Sequence, residues 1–138
     1  VRRIMHRDFQ AVKPSETVEA AIEDHVMGGS QRVFPVIDGQ RFEGLVCLED
    51  IRGVARDERG STTIGEIMTP VERLTTIASD ADASEALNLL GRQNVNQLPV
   101  LDGETLEGLV DREDVVRWMS LHRDQGPHRG MPGLSRGR

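Results

Sequence analysis

The chain has 138 residues, 37% of them apolar and 29% charged, and a formal charge of −6 at pH 7. This suits one globular domain or two small halves sharing a core, and no run approaches the roughly 18 apolar residues that a membrane-spanning helix needs. The lone cysteine, Cys47, excludes an internal disulfide and a four-cysteine zinc site, while the charged start Val1-Arg2-Arg3-Ile4 has no signal-peptide core and, beginning at Val rather than Met, suggests a piece of something longer.

From the N-terminus, a short β-prone stretch around Val12 precedes a helix that Thr17 is expected to cap, because a hydroxyl oxygen accepts from the free N–H groups of a first turn. Val18, Ala21, Ile22 and Val26 follow at spacings of three and four and give this helix one apolar face. Gly28-Gly29 reads as its C-terminal stop, since no Lys-Ser or Lys-Thr follows to make a phosphate loop. Residues 33–37, an Asp38-Gly39 turn and residues 42–47 predict a β-hairpin, closed by a second helix at about 49–56.

A polar linker at 56–62, with Gly60 near its end, leads to a second round. It begins with a β-prone stretch at 74–77 and a helix capped by Asp82, with Glu85 three residues on as in a capping box. Ala83, Ala86, Leu87 and Leu90 form its apolar face. Residues 98–101, Asp102-Gly103 and residues 106–110 predict the second hairpin, and a closing helix follows at 112–121. The remaining 122–138 holds four Gly and two Pro, with Arg123, Arg129, Arg136 and Arg138 against Asp124, and is expected to be a disordered basic tail. The rest of the chain is strongly acidic and poor in aromatics, which argues against a nucleic-acid-binding face.

The two rounds are one pattern written twice. Residues 33–39, 42–46 and 49–51 recur at 97–103, 106–110 and 113–115 with a constant offset of 64, Thr17 answers Asp82 at 65, and Ile4-Met5 answers Ile67-Met68 at 63. The first copy therefore has one extra residue near Gly28-Gly29. The predicted fold class is α/β of the α+β type, two β-α-β-β-α units related by a pseudo-twofold axis. About 60 residues bury too little surface to be comfortable alone, so the copies are expected to pack sheet to sheet, with ligand clefts between them.

At this point the sequence resembles a tandem of cystathionine-beta-synthase (CBS) motifs, the module called a Bateman domain, over residues 1–121. The carriers are Ile64-Gly65-Glu66-Ile67-Met68-Thr69-Pro70, the Pro-Val pairs at Pro35 and Pro99, and the segments 44–50 and 108–114, each running from Gly to Asp. The expected division is 1–61 for the first motif, 62–121 for the second and 122–138 for the tail. The wording at Ala55-Arg56, residues 60–70 and residues 114–118 is similar to the CBS pair appended to bacterial site-2-protease-type membrane metallopeptidases.

The resemblance implies a regulatory module, not an enzyme, that binds AMP, ADP, ATP or S-adenosylmethionine. Asp50 and Asp114 match the aspartates that hold the ribose, and Cys47 and Asp111 stand where the family has threonine. Val12 and Ile77 on the leading strands, and Phe34-Pro35 and Leu98-Pro99 beside the adenine position, match the rest of the cleft. It further implies a homodimer through helical faces such as Val18, Ile22, Leu87 and Leu90, with no nucleic acid, no direct membrane contact, and a cytoplasmic location, tethered to a membrane protein in the metallopeptidase case.

Each of these residues has a plainer reading. An acid in the first turn of a helix is favourable with no ligand present, and Val12 and Ile77 suit a core better than a cleft. Trp118 reads as packing on the closing helix or on a partner subunit. His6, His25, His122 and His128 have no partner at ligand spacing, so no metal or catalytic site is expected. The alternative function is a ligand-free structural or dimerisation module, because Cys47 weakens and Asp111 opposes a phosphate contact. If nucleotide is bound, the first cleft is expected to keep it.

Overall fold

The computed structural model describes residues 1–122; beyond His122, the expected disordered tail falls outside the described residues. Thr17 caps as expected, its Oγ1 accepting from the Ala20 N–H at 3.1 Å. The helix it starts, α1 (Val18–Ala21), widens after one turn into a π-helical turn over Ile22–Val26. Gly28 then takes a left-handed φ of +83°, the stop read from the sequence. In the second copy α4 (Ala83–Arg92) is regular, and Asn94 takes the left-handed position at φ +53°. Asp82 caps α4, its Oδ1 accepting from the Glu85 N–H at 2.9 Å and from the Ser84 hydroxyl at 2.8 Å. The reciprocal arm of a capping box forms at Thr63, whose N–H donates to Glu66 Oε2 at 3.1 Å, and at Cys47, whose N–H donates to Asp50.

The hairpins β1 (Val33–Asp38) with β2 (Arg41–Cys47), and β5 (Gln97–Asp102) with β6 (Thr105–Asp111), have the same register residue for residue, including a bulge after Val36 and after Val100. Pro35 and Pro99 thus hold the same strand position, opposite Leu45 and Leu109. Both turns need a left-handed residue and place glycine there, Gly39 at φ +66° and Gly103 at φ +64°. The leading strands are short: Val12 makes one parallel bridge to Val36, while β4 (Ile77–Ala78) pairs with Val100 and Leu101. Helix α2 is shorter than the expected 49–56, spanning Leu48–Arg52, since Gly53 ends it; α5 covers Arg112–His122.

The remaining strands are contributed across the repeat boundary. After α3 (Ile64–Ile67), β3 (Thr69–Pro70) pairs with Gly44 and Leu45 of the first copy. The N-terminal segment does the equivalent for the second copy, with His6 and Leu109 exchanging backbone hydrogen bonds of 2.7 and 3.0 Å. Gly44 and Gly108 make this approach feasible. A methyl group on Gly108 would lie 2.7 Å from the His6 carbonyl oxygen, and one on Gly44 would collide with that of Thr69.

Among the described residues, three apolar clusters hold the fold. The first copy packs Val12, Val18, Phe34, Val36 and Val46 with Ile64 from the segment beyond the linker. The second packs Ile77, Leu90, Leu98, Val100 and Val110 with Ile4 and Met5 from the N-terminus. Phe42, Leu45 and Leu109 join the two sheets, where the Phe42 N–H donates to the Glu104 carbonyl at 2.9 Å. Of the helical faces expected to associate with a second copy, Val18 and Leu90 are fully buried and Ile22 and Leu87 pack on the same cores. Val18 and Leu90 thus serve the chain's own cores, while Ile22 and Leu87 stay partly exposed.

Candidate functional site

The identical hairpins end in two strand-to-helix corners, where free backbone N–H groups of a first turn meet the edge of a sheet. At the first corner β2 ends in Cys47, whose N–H donates to Asp50 Oδ2 at 2.9 Å. One carboxylate oxygen of Asp50 thereby closes its own helix start. Burial, and then the negative charges of Asp50 and Glu49, push the half-buried Cys47 thiol above its ordinary pKa of 9.0. It is a neutral thiol at pH 7.

The second corner has the same backbone and different chemistry. Asp111 stands where the first corner has Cys47, and Asp114, the counterpart of Asp50, turns to a residue from the far end of the chain. His6 Nε2 is in direct contact with Asp114 Oδ2 and lies 3.4 Å from Asp111 Oδ2. Arg117 Nη1 reaches Asp114 Oδ1 at 3.4 Å. His6, read from the sequence as lacking a partner at ligand spacing, therefore has two. A signal was present: Ile4-Met5 aligns with Ile67-Met68, so His6 occupies the position of Thr69 and must lie against the corner once Thr69 does.

Beside this corner an open cleft of about 700 Å3 runs between the copies, lined by His6, Phe9 and Gln10, by residues 29–33, and by Gln97, Leu109 and Asp111. Its far wall is the loop in which the first copy is longer, since five positions separate Gly28 from Val33 but three separate Asn94 from Gln97. Gln31 clamps that loop. Its side chain accepts from the Gln10 N–H at 2.8 Å and donates to the carbonyls of Gln10 and Val33 at 2.9 Å. His25 bridges Gln10 Oε1 at 2.9 Å and Glu16 Oε1 at 3.1 Å. On the other side of His6 a hollow of about 310 Å3 is walled by Asp114, Arg117 and Trp118. Trp118 itself stacks on the His122 ring with centroids 3.7 Å apart.

Of the residues singled out in the sequence, Val12, Phe34 and Pro35 are buried in the first copy, and Ile77, Leu98 and Pro99 in the second. Cys47, Asp50, Asp111 and Asp114 are partly exposed at the corners. The structure thus brings Cys47 together with Asp50 and Asp111 together with Asp114, and places the apolar six in packing. Phe9, Gln10 and Gln31 carry no signal in the repeat pattern, and His25, read from the sequence as without a partner at ligand spacing, meets Gln10 and Glu16.

The sequence pattern of the CBS domain matches residues 1–57 and again residues 64–121. Rip3 of Mycobacterium tuberculosis, which carries the name of a zinc metalloprotease, is 28% identical over 108 residues, covering 77% of this chain and 28% of Rip3. The crystal structure of MJ1004 from Methanocaldococcus jannaschii superposes with a TM-score of 0.75 at 27% identity, over 88% of this chain and 58% of that one. The crystal structure of CBSX2 in complex with AMP superposes with a TM-score of 0.73 at 26% identity, over 89% of this chain and 97% of that one. The chain spans about a quarter to a half of the curated relatives Rip3 and MJ1004.

Proposed function

The chain belongs to the CBS domain family, carrying two copies of the domain, and we propose that it is a regulatory module that binds an adenosine nucleotide between the copies and has no chemistry of its own. The observation that carries the reading is the first corner, where a neutral Cys47 and an ordered Asp50 flank the start of α2, in a chain that superposes on a CBS protein holding AMP. At this corner the Cys47 position adds no carboxylate beside the start of α2, whereas the matching position at the second corner adds that of Asp111.

The second corner differs by a carboxylate. Asp111 within a few ångströms of a phosphate costs on the order of 1 kcal/mol even when well solvated, so the neighbouring cleft suits an uncharged nucleoside portion. Its volume, about 700 Å3, lies in the roughly 300–1,000 Å3 range of small-molecule sites. By likeness to Rip3, the pair is read as part of a larger protein, with a membrane zinc metallopeptidase as the parent and the cytoplasm as its compartment.

Calorimetry with AMP, ADP, ATP, adenosine and S-adenosylmethionine tests this. One AMP per chain is expected, lost in Asp50→Ala and in Asp50→Asn, which keeps a cap acceptor. Asp114→Ala is expected to change little, and Asp111→Thr to open a second AMP site. Heat from none of the five ligands, or two equal AMP sites in the native chain, would overturn the reading. The alternative, an assembly module with empty clefts, is favoured by Val116 and Leu121, which stand 52% and 71% exposed on α5 and suit a second copy. Light scattering would then report a dimer while calorimetry stays silent.

A further inference from the structure

We propose that His6, Asp111 and Asp114 bind one divalent first-row transition-metal ion at the second corner. The three offer one imidazole nitrogen and two carboxylate oxygens, all within 4.8 Å of one another. Zinc bonds to such atoms are about 2.0–2.2 Å long, which in a tetrahedral site sets the donors roughly 3.4 Å apart. His6 Nε2 and Asp111 Oδ2 stand 3.4 Å apart. Asp114 presents its Oδ2 to the same nitrogen, and an ion between them replaces that contact with shared coordination.

Two of the trio stand on regular elements and the third is tied to one by its backbone. Asp111 ends β6, Asp114 sits in the first turn of α5, and His6 is fixed on both sides of its peptide by hydrogen bonds to Leu109. Gly108 lets that segment lie flush on the strand.

The repeat supplies an internal control. At the first corner the same three positions are Thr69, Cys47 and Asp50, and the same hairpin and bulge form around them, with β3 pairing where His6 bridges at the second. The fold therefore does not require His6 and Asp111. Both differences between the corners add a hard or borderline metal ligand, and both fall on one site.

Charge and access agree. Two carboxylates converge on the corner, and the cation that reaches Asp114 is Arg117, a side chain 67% exposed that water readily replaces. His6 and Asp111 also line the inter-copy cleft, so coordination positions not taken by the protein open into it. The charge that disfavours phosphate at this corner favours a cation. Metal binding of this kind stands apart from nucleotide binding and is measured without nucleotide.

Zinc titrated into the full, nucleotide-free chain by calorimetry tests the proposal, with magnesium in parallel. One equivalent of zinc is expected, with affinity reduced about tenfold or more in both His6→Gln and Asp111→Asn, unchanged in Cys47→Ser, and much weaker binding of magnesium, which prefers oxygen ligands. In the native chain the His6 ring resonances should be those that shift with zinc, a readout that survives if a variant folds poorly. Absence of saturable zinc binding, equal affinity in the His6 and Asp111 variants, or shifts confined to other histidines would overturn it.

Discussion

Cys47 shows how one residue is set by its surroundings. Its thiol lies at the end of a buried strand, next to two acids of the following helix turn, and both burial and those charges disfavour the thiolate. A thiol whose pKa is raised by folding adds stability that is full below the ordinary value of 9.0 and is lost as pH climbs through the folded value. Alkylation by iodoacetamide should therefore reach its half-maximal rate at higher pH in the native chain than in urea; equal midpoints would show that the corner leaves the thiol unperturbed. Asp82 runs the opposite way. The Glu85 N–H and then the Ser84 hydroxyl hold its carboxyl low, so this contribution is present above the ordinary carboxylate pKa and fades as pH falls through the lowered one.

Among the elements, the segment that each copy receives from across the repeat boundary is the most exacting, β3 in the first and the bridge at His6 in the second. It approaches its neighbour at a glycine, and a single added carbon on Gly108 would meet both the His6 carbonyl and the Met5 side chain, the latter at 3.0 Å. Overpacking of this kind costs about 1–3 kcal/mol. Gly108→Ala should lower the melting temperature and expose Arg2 and Arg3 to trypsin sooner, because the displaced segment carries both. Unchanged cleavage would mean that the N-terminal segment is held by Ile4 and Met5 in the core rather than by its backbone. The loop after Gly28 is the other element that differs between copies. It is longer in the first copy and, stapled by Gln31, forms one wall of the cleft.

For the whole molecule, two repeat cores and a seam between the sheets divide the stabilising work. Phe34 and Leu98 are completely enclosed, at 1% and 0% exposure, and truncating such side chains costs roughly 2–5 kcal/mol. Phe34→Ala and Leu98→Ala should therefore each lower the denaturation midpoint strongly. If either left stability unchanged and altered AMP binding alone, its side chain would be facing the cleft rather than the core. The exchange of end segments makes the copies interdependent: Ile64 completes the first core, and Ile4 and Met5 join the second. Truncation in one copy is thus felt in both.

Much of this was legible in the chain itself. Turn glycines, the helix caps at Thr17 and Asp82, and short apolar strand runs are local chemistry, and the recurrence of the strands and turns at a fixed offset identified the duplicated unit and its hairpins. The sequence also marked Cys47 and Asp111 as the positions where the corners part. What it could not supply were contacts between distant segments. Val12, Phe34, Ile77 and Leu98 carry the same apolar pattern whether they line a cleft or fill a core, and only packing distinguishes the two. His6 and Asp114 are 108 residues apart, a separation over which spacing carries no signal. They meet because a strand edge at Gly108 is bare enough to accept the N-terminal segment, and that choice belongs to the tertiary structure.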